Sequence, residues 1–251
     1  MYGKNAVYKR MPEFDPNEEP TYQVREIFST IQGEGPYAGI RAVFIRLSGC
    51  NLRCHFCDTS WNEAIDPFMT IPRIIAEVEK VACTTIPTGN RLNNNITLIV
   101  ITGGEPLLQP LKALITSLTI NFRNTAVQIE TAGTIFQPIL LHPAVKTVVS
   151  PKTPKVDEGV AEIARAYKYI ISAKDEFCGY TGIPITATQV GVERKERLAM
   201  PPAYLRLSDV YLSPCEGDGE DSILNYRKMV ELSQKFGYRA SVRLHTIFGL
   251  R

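Results

Sequence analysis

Three of the six cysteines in this chain fall within eight positions. Cys50, Cys54 and Cys57 lie in residues 49–61, which read GCNLRCHFCDTSW. Thiolates so closely spaced suit an iron–sulfur cluster, because the iron of such clusters prefers sulfur ligands and a short loop can wrap one corner of the cluster. Three protein ligands leave one iron of a four-iron cluster open. The stretch therefore predicts a metal centre with a free coordination position.

A structural zinc ion is the alternative on spacing alone, with His55 as its fourth ligand. Structural zinc sites usually take two ligands from one loop and two from another further along the chain, and no second knuckle of this kind is present. The zinc alternative stays open at this point. The remaining cysteines stand singly and are expected to be small packing residues: Cys83, Cys178 and Cys215.

The cysteine stretch directly follows residues 42–48, an apolar run with the composition of a buried strand. Similar runs recur at 22–28, 96–102, 126–130, 145–150, 167–172, 183–188 and 210–213. Segments with helical spacing lie between several of them, at 71–82, 107–122, 160–166 and 222–237. Strands alternating with helices predict an α/β fold whose mostly parallel sheet is open or curled into a partial or modified (β/α) barrel. Ligands bind at the carboxyl ends of the strands in such folds, so the cysteine loop is expected at the reactive edge.

Length and composition favour a single domain. The 251 residues are 44% hydrophobic, which is enough for a substantial core. We expect residues 1–20 to form a leader and residues 21–251 to form the domain. The formal net charge of +2 does not indicate a nucleic acid or a membrane surface as partner. No stretch is typical of a signal peptide or a transmembrane helix, so we expect a cytoplasmic protein with reduced cysteines.

The spacing C-x3-C-x2-C, with Phe56 before the third cysteine, resembles the signature of the radical S-adenosylmethionine (SAM) superfamily. Further stretches follow in an order that resembles the 7-carboxy-7-deazaguanine synthases of that superfamily. They are STIQGEGPYAG (29–39), FIRLSGCNLRCHFCDTSW (44–61), VITGGEP (100–106), IETAGT (129–134) and VSPK (149–152). The resemblance extends over about residues 21–251, and its opening GEG run is more specific than the cysteines.

This resemblance implies a 4Fe-4S cluster on Cys50, Cys54 and Cys57 and a SAM molecule on the open iron. Glu105 carries a carboxylate that is expected to receive the ammonium group of the cofactor. The resemblance implies cofactor contacts from Phe56, Cys57, Asp58, Gly103, Gly104, Glu105, Ser150, Pro151 and Lys152.

For the substrate, the resemblance implies 6-carboxy-5,6,7,8-tetrahydropterin, whose ring would contract with loss of ammonia. A magnesium ion on Thr59 would meet its carboxylate, because magnesium prefers hard oxygen ligands. Substrate contacts are expected from Ile31, Gln32, Gly33, Arg46, Thr102 and His245. The resemblance further implies a flavodoxin-like electron donor and a homodimer. An enzyme that installs a radical on a partner protein is the alternative that keeps the cluster.

Two positions depart from the family pattern. Arg243 and Ser213 each stand where a glutamine is usual. The first departure affects substrate contacts expected from the C-terminal segment, and the second affects cofactor contacts. No residue is an obvious general acid or base, although His245 is a candidate by residue type.

Overall fold

The computed structural model describes residues 18–57, 59, 66–82, 96–191, 197–216 and 221–250. Most of the expected leader and the expected cofactor residue Asp58 lie outside these ranges. The described strands are β1 (Thr21–Ile31), β2 (Arg41–Leu47), β3 (Phe68–Thr70), β4 (Leu98–Gly103), β5 (Ala126–Thr131), β6 (Val145–Val149), β7 (Ala166–Ile171), β8 (Val210–Pro214) and β9 (Arg239–Ala240). The described helices are α1 (Ile71–Ala82), α2 (Lys112–Asn121), α3 (Glu158–Ile163), α4 (Ser222–Phe236) and α5 (Leu244–Ile247).

All nine strands join one sheet in the order β3-β1-β2-β4-β5-β6-β7-β8-β9. From β2 through β4 to β9 neighbouring strands run parallel, whereas β1 is antiparallel to both β2 and β3. The order begins at β3 and ends at β9, so the sheet is not closed. This open, mostly parallel sheet confirms the predicted partial barrel.

The two faces of the sheet have different tasks. Along β2 and β4, Ile45, Ile99 and Ile101 point to the outer face, where they pack with the buried sides of the helices. Full burial of each such side chain contributes roughly 1.5–3 kcal/mol. The outer face therefore carries much of the stability, and the inner face is left for binding.

The inner face is layered because alternate residues of a strand point the same way. Near the amino ends of the strands, Phe44 and Val100 belong to a small apolar cluster with Phe28. Two residues further along β2 and β4 come Arg46 and Thr102, which are register partners. The apolar layer closes the bottom of the half-barrel, and a polar layer lies above it at the carboxyl edge.

Two predictions about individual elements are wrong. Residues 183–188 were expected to form a strand, but the structure gives them only an isolated bridge between Phe177 and Pro184. Pro184 has no N–H to donate to a ladder, which disfavours a central strand there. The expected helix at 107–122 is also shorter: Pro106–Leu108 form a 3-10 turn and α2 begins only at Lys112, after Pro110.

Within the described ranges, no helix is long and apolar enough to cross a membrane.

Candidate active site

The cysteine loop begins where β2 ends. Cys50 and Cys54 are each 9% exposed, and Cys57 is half-buried. All three line one cavity of about 260 Å³ at the carboxyl edge of the sheet. In the described part of the chain, no three His, Cys, Asp or Glu side chains are placed to hold a single metal ion together. The three thiols nevertheless all border the same cavity.

The end of β4 supports this loop from below. The backbone N–H of Gly104 donates to the Leu47 carbonyl (3.2 Å), and that of Glu105 donates to the Gly49 carbonyl (2.8 Å). A Cβ at Gly103 would come within 2.0 Å of the Leu47 oxygen, and one at Gly104 within 2.0 Å of the Gly49 oxygen. The two glycines are needed so that the cysteine loop can lie directly on β4.

Glu105 is part of this support. Its side chain is 1% exposed and accepts hydrogen bonds from the Thr131 hydroxyl (2.8 Å), the Ala132 N–H (2.8 Å) and the Leu107 N–H (3.1 Å). Glu105 is not among the residues that line the cavity. The carboxylate is thus placed to join the ends of β4 and β5, and its expected contact with the cofactor ammonium stays a prediction.

The loop after β6 forms another wall of the cavity. Ser150 and Lys152 line it, whereas Pro151 is buried behind them. The Lys152 ammonium donates to the Ser150 hydroxyl (2.5 Å) and lies 5.8 Å from the ring centre of Phe56, which also lines the cavity. Burial lowers the pKa of Lys152 from its ordinary value. The Lys152 ammonium therefore lies beside the cysteine loop and loses its proton more readily than an exposed lysine does.

The donor set fits an iron–sulfur cluster. Burial raises the pKa of the Cys50 thiol to about 12 in the protein alone. Bound iron deprotonates a coordinating thiol, so a cluster would convert this buried neutral group into a compensated thiolate. Thr59 also faces the cavity and offers one hydroxyl oxygen, which suits magnesium if the substrate supplies further oxygens.

Arg46 also faces the cavity, from β2. Its Nε donates to the Glu26 carboxylate (2.9 Å), its Nη1 donates to the Thr59 hydroxyl (3.1 Å), and its guanidinium lies 5.8 Å from the Phe28 ring centre. These contacts hold the guanidinium beside Thr59, the predicted magnesium ligand. An arginine held in this way is suited to a carboxylate.

Glu130 on β5 accepts hydrogen bonds from several side chains of the inner face. It accepts from the Gln32 amide (3.1 Å), the Thr102 hydroxyl (3.2 Å) and the Gln128 amide (2.9 Å), and lies 4.0 Å from the Lys168 ammonium. Two of these donors, Gln32 and Thr102, are predicted substrate residues. Sequence reasoning did not include Glu130, although it lies inside the quoted IETAGT stretch.

A buried ion network lies beside Glu130. Glu34 accepts from the Lys168 ammonium (2.8 Å), from Nε of Arg243 (2.9 Å) and from the Ser213 hydroxyl (3.2 Å). Arg243 also pairs with Glu216 (3.4 Å). Burial alone would raise the pKa of Glu34, but the charges of Lys168 and Arg243 outweigh it and hold the pKa at about 2. Both departures from the family pattern thus contact one carboxylate.

The C-terminal segment covers this network. The N–H of Leu244 donates to the Gly33 carbonyl (3.1 Å), and a Cβ on Gly33 would lie 2.0 Å from Nδ1 of His245. Burial lowers the pKa of His245. Nη2 of Arg243 lies 3.4 Å from Nε2 of His245, so a cation lies beside the ring.

The structure thus brings most of the predicted residues to one cavity. Those that line it are Ile31, Gln32, Arg46, Cys50, Cys54, Phe56, Cys57, Thr59, Thr102, Gly103, Gly104, Ser150, Lys152 and His245. Gly33, Glu105 and Pro151 are not among the lining residues. Cys215, expected to be a packing residue, is buried and also lines the cavity. The sequence signal that could have identified it is its position directly after β8.

A half-barrel that presents three thiols of one loop beside a GGEP turn is the site of a radical SAM enzyme. In agreement, a family model described as the radical SAM superfamily matches residues 44–145. The 7-carboxy-7-deazaguanine synthase of Rhodospirillum rubrum is 35% identical over 98% of this chain and 98% of its own length. This chain belongs to the 7-carboxy-7-deazaguanine synthase family, which implies a 4Fe-4S cluster and SAM.

Other similar proteins agree. The synthases of Rickettsia prowazekii and Hyperthermus butylicus are 32% and 30% identical, each over 91% of this chain and over 88% and 93% of their own lengths. The crystal structure of QueE from Escherichia coli matches with a TM-score of 0.60 at 23% identity, covering 90% of this chain and 95% of that chain. This last likeness shows the shared fold. Family membership removes the support for the zinc module and for the protein-activating enzyme.

Proposed function

We propose that this enzyme converts 6-carboxy-5,6,7,8-tetrahydropterin into 7-carboxy-7-deazaguanine by a radical ring contraction with loss of ammonia, a step of queuosine and other deazapurine biosynthesis. The observation that carries the proposal is that one cavity is bordered by the three thiols and also by Arg46, Thr59 and Glu130. A cofactor at the thiols and a small anionic heterocycle at these polar side chains would therefore meet inside the same space.

The cluster end would use Cys50, Cys54 and Cys57 as iron ligands. When bound, the cluster and SAM supply the 5′-deoxyadenosyl radical that abstracts hydrogen from the substrate. Phe56, Gly103, Gly104, Ser150 and Lys152 border the space next to the thiols and would hold SAM. Asp58 is proposed as a further cofactor contact on the resemblance alone.

The substrate end would bind the carboxylate with Arg46, together with a magnesium ion held by Thr59. Arg46 already donates to Thr59, so the cation and the proposed metal ligand are adjacent. The ring edge would meet Gln32, Thr102 and Glu130, which together present donors and acceptors in one plane of the polar layer. This arrangement fixes the target carbon relative to the cofactor end.

His245 is the residue that we propose for proton transfer during the loss of ammonia. Its lowered pKa keeps the ring neutral near pH 7, and a neutral ring can accept a proton. Arg243 packs beside the ring near Nε2, and the ring can lie against Gly33 because a glycine has no Cβ.

The proposal is tested by an anaerobic assay. The protein with reconstituted cluster is incubated with SAM, magnesium, a reductant and the carboxylated tetrahydropterin, and mass spectrometry follows 5′-deoxyadenosine and 7-carboxy-7-deazaguanine. Both products should form, and both should be absent with Cys54→Ala. Cys178→Ala is the matched control, since Cys178 lies outside the cavity lining. Deoxyadenosine without the deazaguanine would contradict the substrate assignment, and neither product from protein with full cluster content would contradict the activity.

The flavodoxin-like electron donor, the homodimer and the cytoplasmic location stay proposals that rest on the resemblance. Size-exclusion chromatography with light scattering would test the dimer directly.

A further inference from the structure

Residues 188–190, in the connection between β7 and β8, lie against the cysteine loop. His55 donates its backbone N–H to the Thr188 carbonyl (2.9 Å), and Val190 donates its N–H to the Arg53 carbonyl (2.9 Å). These bonds flank an isolated antiparallel bridge between Cys54 and Gln189. The segment therefore places the side chain of Gln189 directly against a predicted cluster ligand.

The orientation of the Gln189 amide is determined by its neighbours. Its Oε1 accepts from the backbone N–H of Arg53 (2.7 Å), which only an oxygen can do. The Nε2 group must then face the other way, where its two N–H groups meet the Thr188 hydroxyl (2.8 Å) and the Cys54 sulfur (3.2 Å), with the Lys152 carbonyl at 3.4 Å. The hydrogen bond from Arg53 therefore fixes the amide so that an N–H points at the Cys54 sulfur.

We propose that Gln189 is a positioning residue that sets the reduction potential of the cluster by donating this N–H to the Cys54 thiolate; the inference rests on the proposed cluster site. Reduction adds one electron, taken from the external reductant, to the cluster and its sulfur ligands. A hydrogen bond to a ligand sulfur stabilises the added negative charge and raises the potential. Gln189 therefore makes the cluster easier to reduce.

Gln189 also connects the cysteine loop to the loop after β6, and both loops border the cluster end of the cavity. Through Nε2 the same amide contacts the carbonyl of Lys152, and Thr188 donates its hydroxyl to that carbonyl as well (2.6 Å). The β7–β8 segment thus connects the cysteine loop to the loop after β6. This explains why residues 183–188, expected as a strand, take an irregular path over the site instead.

The test is a redox titration of the full chain with reconstituted cluster, followed by electron paramagnetic resonance without any pterin. In Gln189→Met the donor to Cys54 is gone, the side chain keeps a similar length and no charge is added. Gln189→Leu removes the donor as well. At a fixed ambient potential near the wild-type midpoint, the ratio of reduced to oxidised cluster should be about tenfold lower in each variant, which corresponds to a shift of about −59 mV for a one-electron couple.

Thr186→Val is the matched control, since Thr186 lies in the same segment and its hydroxyl accepts from the Glu176 N–H (2.9 Å). It should leave the potential unchanged. Variants with full iron and sulfide content and a wild-type potential would overturn the proposal. If Gln189→Leu binds too little cluster to titrate, the potential of Gln189→Met provides the test. A wild-type protein that binds no cluster would instead refute the proposed function. The iron and sulfide content of the wild type is measured first, so the two outcomes are distinguished before any variant is titrated.

Discussion

The two ends of the cavity are built in opposite ways. At the cluster end, the three thiols come from one loop, and backbone bonds to Gly104 and Glu105 hold that loop in place. The substrate end is bordered by the buried ion network of Glu34, Lys168 and Arg243, which come from distant parts of the chain, are held together by their charges and reach Glu130 through Lys168. The thiols of the cluster end therefore come from one short loop held by backbone hydrogen bonds, whereas the charged groups beside the substrate end meet only through long-range side-chain contacts.

This difference predicts how substitutions at each end of the cavity affect the protein. A change at the substrate end should leave a cluster-binding protein that has lost its pterin chemistry or its stability. A change at a cysteine should remove all radical chemistry while the ion network persists. The following predictions test that separation, beginning with the largest expected effect.

Glu34→Gln should lower the free energy of unfolding by about 3 kcal/mol, because it leaves two buried cations without their shared carboxylate. Glu77→Gln is the control: it removes an exposed partner of Lys80 and should cost less than about 0.5 kcal/mol. Denaturant unfolding measures both. The folded variant should keep its cluster; loss of iron at wild-type stability would show that the two ends are not separate.

Arg46→Lys should raise KM for the pterin roughly 10- to 100-fold, since a lysine keeps the charge but loses the planar fork that suits a carboxylate. Cleavage of SAM should continue. Arg41→Lys is the matched control, because Arg41 begins the same strand and does not line the cavity. Steady-state kinetics decide; an unchanged KM would remove Arg46 from the proposed carboxylate site.

Gly33→Ala should reduce pterin turnover about tenfold, because the new Cβ would require the His245 ring to move. Gly179→Ala introduces the same methyl group where no atom lies within 4 Å and should have no effect. Turnover and iron content are measured together. Equal turnover in the two variants would show that the position of His245 does not matter.

Acid should weaken the substrate end first. The pKa of Glu34 is lowered to about 2 in the folded protein, from an ordinary value of about 4.3 in the unfolded chain. Its stabilising contribution is therefore fully present above that ordinary value and disappears as the pH falls towards 2. The difference in unfolding free energy between wild type and Glu34→Gln should shrink over that window. A constant difference would mean that Glu34 is not ionised in the folded state.

The sequence could predict the cluster end well, because its residues are close in the chain. The spacing of Cys50, Cys54 and Cys57 is itself the signal, and the GGEP motif follows an obvious strand. The role of Glu105 was harder to predict, since a motif does not reveal where a side chain points. Only the fold shows its carboxylate turned towards Thr131 and Ala132.

The substrate end was less predictable. Glu34 lies in the quoted GEG run, yet its partners Lys168 and Arg243 are 134 and 209 positions away. No local pattern connects such residues. The missed β3 and β9 are three and two residues long, too short for periodicity to be detected.

The sequence by itself therefore determined the alternation of strands and helices, the cysteine loop at a strand end and the family. These follow from periodicity and spacing, which are properties of neighbouring residues. Tertiary structure alone decided that Glu34 joins the C-terminal segment to β7, that Gln189 faces Cys54, and that the run at 183–188 is not a strand. Such outcomes depend on which distant groups must share buried charge or hydrogen bonds, and the chain settles that only when it folds.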